Sequence, residues 1–194
     1  MNPVQMLKLR DGGLLTLASG FLPASTADRY LTELTTLVAW EQQSGIFGNL
    51  QPRLTAAYGE PGLIYQYSGT RNRARPWLPQ LLEIKQRIEQ WTGKYNFCLL
   101  NQYRSGADSI GLHADNEAGL GNVIASLSLG ATRTFRIRHT ATKETHSFSM
   151  EHGSLIIMAG TMQQFWKHEV PKTRRPVAER INLTYRWLEE TLSH

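Results

Sequence analysis

The distribution of apolar and polar positions gives the chain two textures. Over residues 25–44, Ser25 and Thr26 are candidate caps, and Tyr30, Leu31, Leu34, Leu37 and Val38 recur at helical spacing, which predicts an amphipathic helix. A second helix is predicted over 76–91. Pro76 and Pro79 suit its first turn, Leu78, Leu81, Leu82, Ile84, Ile88 and Trp91 make one apolar face, and Gly93 stops it. Residues 45–75, rich in Gly, Pro, Tyr and Arg, read as a long irregular or hairpin segment of the kind that more often carries function than packing. From Phe97 onward, short β-prone runs predict strands near 97–104, 123–130, 133–139, 145–150, 154–159, 164–170 and 180–187. That spacing suggests a sandwich, barrel or jelly roll rather than alternating βα units. The expected fold is α+β, a single domain over 1–194 with a β core.

Composition narrows the class. A chain of 194 residues buries roughly 70% of its unfolded surface and needs no staple, and 41% hydrophobic with 19% charged residues are globular values. No stretch approaches the length of a membrane span, and the N-terminus lacks an apolar signal core, so neither membrane insertion nor Sec-type secretion is expected. Cys98 is the one cysteine, which excludes an intramolecular disulfide and a multi-cysteine zinc cluster. Its neighbours Phe97 and Leu99 predict a buried, inert thiol, and a reducing compartment fits best. The formal charge of +5 permits a polyanionic partner without requiring one. Three basic clusters are candidates for such contacts: Arg71, Arg73 and Arg75; Arg133, Arg136 and Arg138; and Lys172, Arg174 and Arg175. The chain has neither GxGxxG nor GxxxxGK[ST], which removes the two commonest nucleotide folds.

Candidate chemistry begins at His113-Ala114-Asp115. On extended backbone, residues i and i+2 share a face, so imidazole and carboxylate converge. His168, on a strand expected to return across the sheet, supplies a third donor; His139, His146 and His152 suit solvent-facing positions. A facial His-x-Asp…His set leaves three open positions, the geometry for non-haem iron(II), although an ordinary polar strand edge reads the same way from these residues alone. The second signal is the run from Arg180 to Arg186. Arg180, Asn182, Thr184 and Arg186 alternate with Ile181, Leu183 and Tyr185. If the polar face is buried, two guanidinium groups require an anion, and a dicarboxylate would satisfy both; the competing reading is a solvated face. Asn101 and Tyr103 offer an amide and a phenol on one face just before the His-x-Asp segment.

Together these residues resemble the AlkB family of iron(II)- and 2-oxoglutarate-dependent dioxygenases. The carrying pieces are NQYRSGADSIGLHADNE at 101–117, HGSLIIM at 152–158 and FWKHEVPKTRRPVAERINLTYRW at 165–187. Upstream, IFGNLQPRLTAAYGEPGLIYQYSG at 46–69 is similar to the duplex-acting DNA-repair branch. The resemblance implies a double-stranded β-helix (jelly roll) core over 97–188, N-terminal helices packed on it, and a nucleotide-recognition segment over 46–75. It implies Fe(II) held by His113, Asp115 and His168. For 2-oxoglutarate it implies Asn101 and Tyr103 as hydrogen-bonding partners, Arg180 on the distal carboxylate, Arg186 on the carboxylate beside the keto group, and Asn182 and Thr184 completing the wall. Tyr65, Gln66 and Tyr67 fall where substrate is recognised, Tyr67 as a stacking surface for a flipped base opposite the His113 ring. Phe47, in the turn with Gly48, corresponds to an aromatic finger that enters the duplex; its alternative is a core aromatic. Asn116 stands where that branch has an acidic residue, and an amide donates as well as accepts. Arg174 and Arg175 fall in a loop that grips the DNA backbone.

The implied reaction is oxidative demethylation of N-alkylated bases of the 1-methyladenine and 3-methylcytosine type. It uses O2 and 2-oxoglutarate and yields succinate, carbon dioxide and formaldehyde. The target atom lies on the pairing edge, so the base must leave the stack. Duplex DNA is the expected partner; RNA with the same chemistry and a non-catalytic nucleic-acid-binding relative are the alternatives. A structural zinc site is disfavoured, since it would leave the arginine face without purpose. No long apolar seam argues for an obligate dimer, and a monomer is expected. The chain would be cytoplasmic in a bacterium and nuclear in a eukaryote.

Overall fold

The computed structural model describes residues 4–45, 48–67 and 70–189. Its elements in chain order are a hairpin of β1 (Val4–Lys8) and β2 (Gly13–Ala18), α1 (Ala24–Leu37), β3 (Leu54–Gly59), a hairpin of β4 (Ile64–Tyr67) and β5 (Thr70–Arg73), and α2 (Pro79–Glu89). There follow β6 (Phe97–Tyr103), β7 (Ile110–His113), β8 (Ile124–Gly130), β9 (Arg133–His139), β10 (Thr145–Met150), β11 (Leu155–Gly160), the helical turn Met162–Phe165, β12 (Trp166–Val170) and β13 (Arg180–Arg186). A seven-stranded sheet runs β1-β2-β11-β8-β13-β6-β3 and faces a four-stranded sheet ordered β10-β9-β12-β7, with β4-β5 as a separate ribbon. Every pairing between these strands is antiparallel, the arrangement of a jelly roll.

Among the described residues three apolar clusters hold the fold, two of them large. On the outer face of the large sheet, Leu100, Leu127, Leu129, Ile181, Leu183 and Tyr185 pack with Tyr30 and Leu34 of α1 and Leu81, Ile84 and Ile88 of α2. The Tyr185 hydroxyl donates to the Leu81 carbonyl at 2.9 Å, tying β13 to the second helix. Toward one end of the space between the sheets, Leu15, Ile124, Phe135, Ile137, Ile156, Met158 and Trp166 form the second layer. The candidate site adjoins this layer, which shares Phe135 and Met158 with the lining of its cleft.

Departures from the expected elements have local causes. The first helix stops at Leu37 instead of continuing to residue 44. Val38 turns extended, and Glu41 joins an antiparallel bridge with Thr55, so the polar residues beyond, lacking an apolar stripe, follow β3. The second helix is trimmed to 79–89. The run expected at 164–170 begins as a helical turn and becomes strand only at Trp166. The β1–β2 hairpin and β3 are not among the expected strands, whereas β7 gives His113 the extended backbone expected of it. β1, β2 and β3 extend the large sheet well N-terminal to the expected 97–188 core. His139, expected at a solvent-facing strand end, is 2% exposed: its Nε2 meets Asp11 Oδ2 at 2.8 Å and its ring packs edge-on against Trp166. Trp166 is buried, whereas Trp187 is 44% exposed. No described helix is long and apolar enough to cross a membrane.

Candidate active site

Strand register brings the candidate donors together. β7 and β12 run antiparallel with His113 directly opposite His168, and the two ring centroids lie 4.2 Å apart. Asp115 follows two residues past the end of β7, buried to 3% exposure, where its backbone N–H donates to Gln163 Oε1 at 2.9 Å. His113 Nε2 stands 3.8 Å from Asp115 Oδ1, and His168 Nε2 stands 3.6 Å from Asp115 Oδ2. The three candidate ligand atoms lie within 4.8 Å of one another. His113 Nδ1 is 2.7 Å from the Gly111 carbonyl. That contact places the ring proton on Nδ1 and leaves the Nε2 lone pair aimed at the carboxylate, as metal-ligating histidines are commonly held.

Electrostatics favour the same protonation pattern. Burial pushes the His168 imidazole down to about 3, with His113 adding to the effect and Asp115 opposing it. His113 is likewise lowered, chiefly by burial. Asp115 is driven up by burial, yet the Arg186 guanidinium, followed by the two imidazoles, reverses this and leaves the carboxyl below its ordinary value. Arg186 Nη2 lies 3.0 Å from Asp115 Oδ2. The result at neutral pH is two neutral imidazoles and one carboxylate, the donor set a divalent metal requires.

The wall behind the triad is the inner face of the large sheet. β13 sets Arg180 opposite Tyr103, Asn182 opposite Asn101 and Thr184 opposite Leu99 on β6; on its other side, Ser128 and Ser126 of β8 oppose Asn182 and Thr184. All seven β13 residues are buried, so the solvated reading of its polar face does not hold. Arg180 Nη2 donates to Ser128 Oγ at 2.8 Å and Asn182 Oδ1 at 2.6 Å, while Asn182 Nδ2 donates to Thr184 Oγ1 at 2.8 Å. Arg180 Nε and Nη1 are buried without an acceptor among the described residues, and so is Asp115 Oδ1 without a donor. Orphaned buried groups of this kind are rare unless a ligand meets them. Cationic donors on one wall and an N/O donor triad on the other therefore fit a metal with an anionic chelator.

Asn101, Tyr103, His113, Asp115, His168, Asn182, Thr184 and Arg186 line one cleft. Arg180, 1% exposed, sits behind it with its guanidinium 5.2 Å from the Tyr103 ring centroid. Tyr65 is not a surface residue: it is 2% exposed, its ring lies 4.6 Å from the Arg186 guanidinium carbon, and its hydroxyl donates to Glu117 Oε2 at 2.9 Å. Gln66, Gly48 and Asn116 are exposed, and Tyr67 closes β4 opposite Thr70. Phe47 lies outside the described residues.

Arg174 and Arg175 are exposed beside an open groove of about 460 Å³, shared with Ser105, Gly106 and Ala107. Gly106 permits that approach, since a Cβ there would stand 2.5 Å from the Thr173 carbonyl oxygen. The other two basic clusters are partly absorbed by the fold. Arg75 pairs with Glu41 and Arg136 with Glu169, while Arg133 donates to the carbonyls of Ser105, Asp108 and Pro171.

Several contributors were not singled out from the sequence. Gln163 orients Asp115 from 48 residues away, Arg53 donates to Asn101 from the same separation, and Glu117 receives Tyr65. Of these, only Glu117 carries a local signal, its place two residues past Asp115.

Comparison with known proteins agrees with this geometry. The family description "2OG-Fe(II) oxygenase superfamily" matches residues 14–186. Alpha-ketoglutarate-dependent dioxygenase alkB homolog 3 of Rattus norvegicus is 43% identical over 183 residues, covering 86% of this chain and 61% of that protein. DNA oxidative demethylase ALKBH2 of Homo sapiens is 38% identical over 146 residues, covering 70% of this chain and 56% of its own length. DNA oxidative demethylase ALKBH2 of Arabidopsis thaliana is 30% identical over 213 residues, covering 93% and 68%. This chain thus spans only about three fifths of the length of the alkB homolog 3 relatives, 61% to 64% of each. Among solved structures, that titled "The structure of OsALKBH1" superimposes with a TM-score of 0.67 at 19% identity, covering 94% of this chain and 100% of that one, a likeness of fold. By its donor triad, its buried arginine wall and these relatives, the chain belongs to the AlkB homologues of the 2OG-Fe(II) oxygenase superfamily.

Proposed function

We propose that this chain is an iron(II)- and 2-oxoglutarate-dependent dioxygenase that repairs DNA by demethylating N-alkylated bases of the 1-methyladenine and 3-methylcytosine type. The observation carrying the reading is the pairing of His113 with His168 beside Asp115, in one cleft with a buried wall of guanidinium, amide and hydroxyl groups. His113 Nε2, Asp115 and His168 Nε2 would hold the metal, and Arg186, Asn101 and Tyr103 would hold the keto acid. The bound metal and keto acid supply the power to oxidise an N-methyl group with O2, releasing formaldehyde and leaving succinate and carbon dioxide.

The chain's own residues set the conditions for that chemistry. Gln163 keeps the Asp115 backbone in place, and Gly111 keeps the His113 Nε2 lone pair forward. Phe135, stacked on His168 with centroids 5.4 Å apart, keeps water from one side of the triad. Arg174 and Arg175, which are exposed, would contact phosphates, and Gln66, Tyr67 and Asn116 would meet an extruded base. A duplex preference, with Phe47 filling the gap left by the base, and action as a monomer complete the reading. The names of the ALKBH2 relatives, DNA oxidative demethylases, support the choice of DNA.

The test is formaldehyde release from 1-methyladenine in duplex DNA, single-stranded DNA and RNA, with iron(II), 2-oxoglutarate and ascorbate, beside His168→Ala. Release that is greatest on duplex and vanishes in the variant is expected. Greatest release on RNA would move the substrate to RNA. Binding of alkylated DNA with no release on any substrate would replace catalysis with a binding role.

A further inference from the structure

Arg53 stands immediately before β3 and is only 6% exposed. A guanidinium removed from water ordinarily meets a carboxylate. Among the described residues Arg53 has no ion pair; its Nε donates to Asn101 Oδ1 at 2.8 Å and its Nη1 to the Ser109 carbonyl at 3.4 Å, both neutral acceptors. The surrounding backbone holds it there, since Ser109 N–H donates to the Pro52 carbonyl at 2.8 Å and β3 pairs Thr55 with Asn101.

The consequence falls on Asn101. Its amide has one oxygen, an acceptor, and one nitrogen, a donor, and either can be turned toward a neighbour. Arginine offers donors only, so the oxygen must face Arg53, and the two N–H groups of Nδ2 are turned away from it. Asn101 lines the cleft that also contains His113, Asp115 and Arg186.

We infer that Arg53 is a positioning residue for the keto acid: by capturing Asn101 Oδ1, it commits Nδ2 to donate into the cleft toward an oxygen of 2-oxoglutarate. Without Arg53, the amide can present its oxygen instead and repel that ligand. The inference rests on the reading that this cleft takes 2-oxoglutarate. Arg53 itself does not touch the reacting groups.

Calorimetric titration of 2-oxoglutarate into the Mn(II)-loaded protein, without oxygen, tests this apart from turnover. Arg53→Met is expected to weaken binding about tenfold, with its thermal unfolding checked alongside and the KM for alkylated DNA unchanged. Asn101→Ala should weaken binding at least as much, and adding Arg53→Met to it should cause no further loss, because Arg53 acts only through that amide. Asn101→Asp, which still pairs with Arg53 but has no donor at neutral pH, should lose affinity as Asn101→Ala does, and it decides the matter if Arg53→Met does not fold. Wild-type affinity in Arg53→Met or in Asn101→Asp overturns the inference, as do losses that multiply in the double variant. Failure of the wild type to bind 2-oxoglutarate overturns the reading of the cleft itself, and the inference with it.

Discussion

Strand β13 has two faces, and both are sealed from solvent. On one, Ile181, Leu183 and Tyr185 are at 0% exposure, packed with α1 and α2, and the one polar atom there, the Tyr185 hydroxyl, has its acceptor in Leu81. On the other, Arg180, Asn182, Thr184 and Arg186 are between 1% and 7% exposed, and Arg180 keeps two nitrogens without an acceptor among the described residues. Depth of burial does not separate a core from a site; the balance of donors and acceptors does. The side chains that β13 turns outward are complete as they stand, so changes to them should appear in stability. The inner face becomes complete only with a ligand, so its changes should appear in binding.

The largest effect that would sharpen this contrast is Leu183→Ala. It should cost about 2–5 kcal/mol, read by urea unfolding, because the sheet and both helices close only partly on the cavity. The folded fraction should bind 2-oxoglutarate with wild-type affinity; weakened binding would mean that the two faces are coupled. Arg180→Met is the mirror experiment. Replacing a buried charge with an apolar side chain of similar reach is often neutral or stabilising, so the unfolding midpoint should hold or rise while 2-oxoglutarate affinity falls about a hundredfold. Equal losses of both would break the comparison.

Smaller effects follow from the triad's supports. Gln163→Leu removes the acceptor for the Asp115 N–H and should weaken Mn(II) binding by roughly 10–100-fold, measured by metal titration. The metal-free protein should also lose stability as pH falls. His168 has an ordinary value of 6.5 and is held at about 3 by burial and by His113, so below 6.5 the unfolded chain takes up a proton that the folded chain refuses. Its contribution is whole above 6.5 and drains away as pH falls toward 3. Urea midpoints between pH 7 and 4 should fall less steeply in His168→Leu. Smallest is the effect at Cys98 on the outer face. Burial raises that thiol far above its ordinary value, so thiol reagents should leave it untouched in the folded protein and modify it in urea.

Legibility in the sequence tracked the separation between partners. The alternation over 180–186 reads off one strand, because a period of two assigns each side chain to a face without any knowledge of the neighbour. His113 and Asp115 share a face for the same reason. His168, 53 residues past Asp115 in sequence, is drawn in by the chemistry of the donor set and by family resemblance. Where the partner is remote and carries no pattern, the reading failed. His139 reads as a surface residue because Asp11, its anchor, is 128 residues earlier. Arg53 and Gln163 carry no local signal because each acts across 48 residues. The β1–β2 hairpin is hidden for a related reason: β1 is an edge strand with none of its residues buried, so it lacks the apolar alternation that marks a half-buried strand.

The most direct test of the ligand-completed face is a crystal structure of the protein grown without oxygen in the presence of Mn(II) and 2-oxoglutarate. An anomalous peak bonded by His113 Nε2, Asp115 and His168 Nε2, with the keto acid meeting Arg180, Arg186 and Asn101, is the expected result. A metal held elsewhere, or a keto acid bound outside the cleft with Arg180 still lacking its acceptors, would contradict the account.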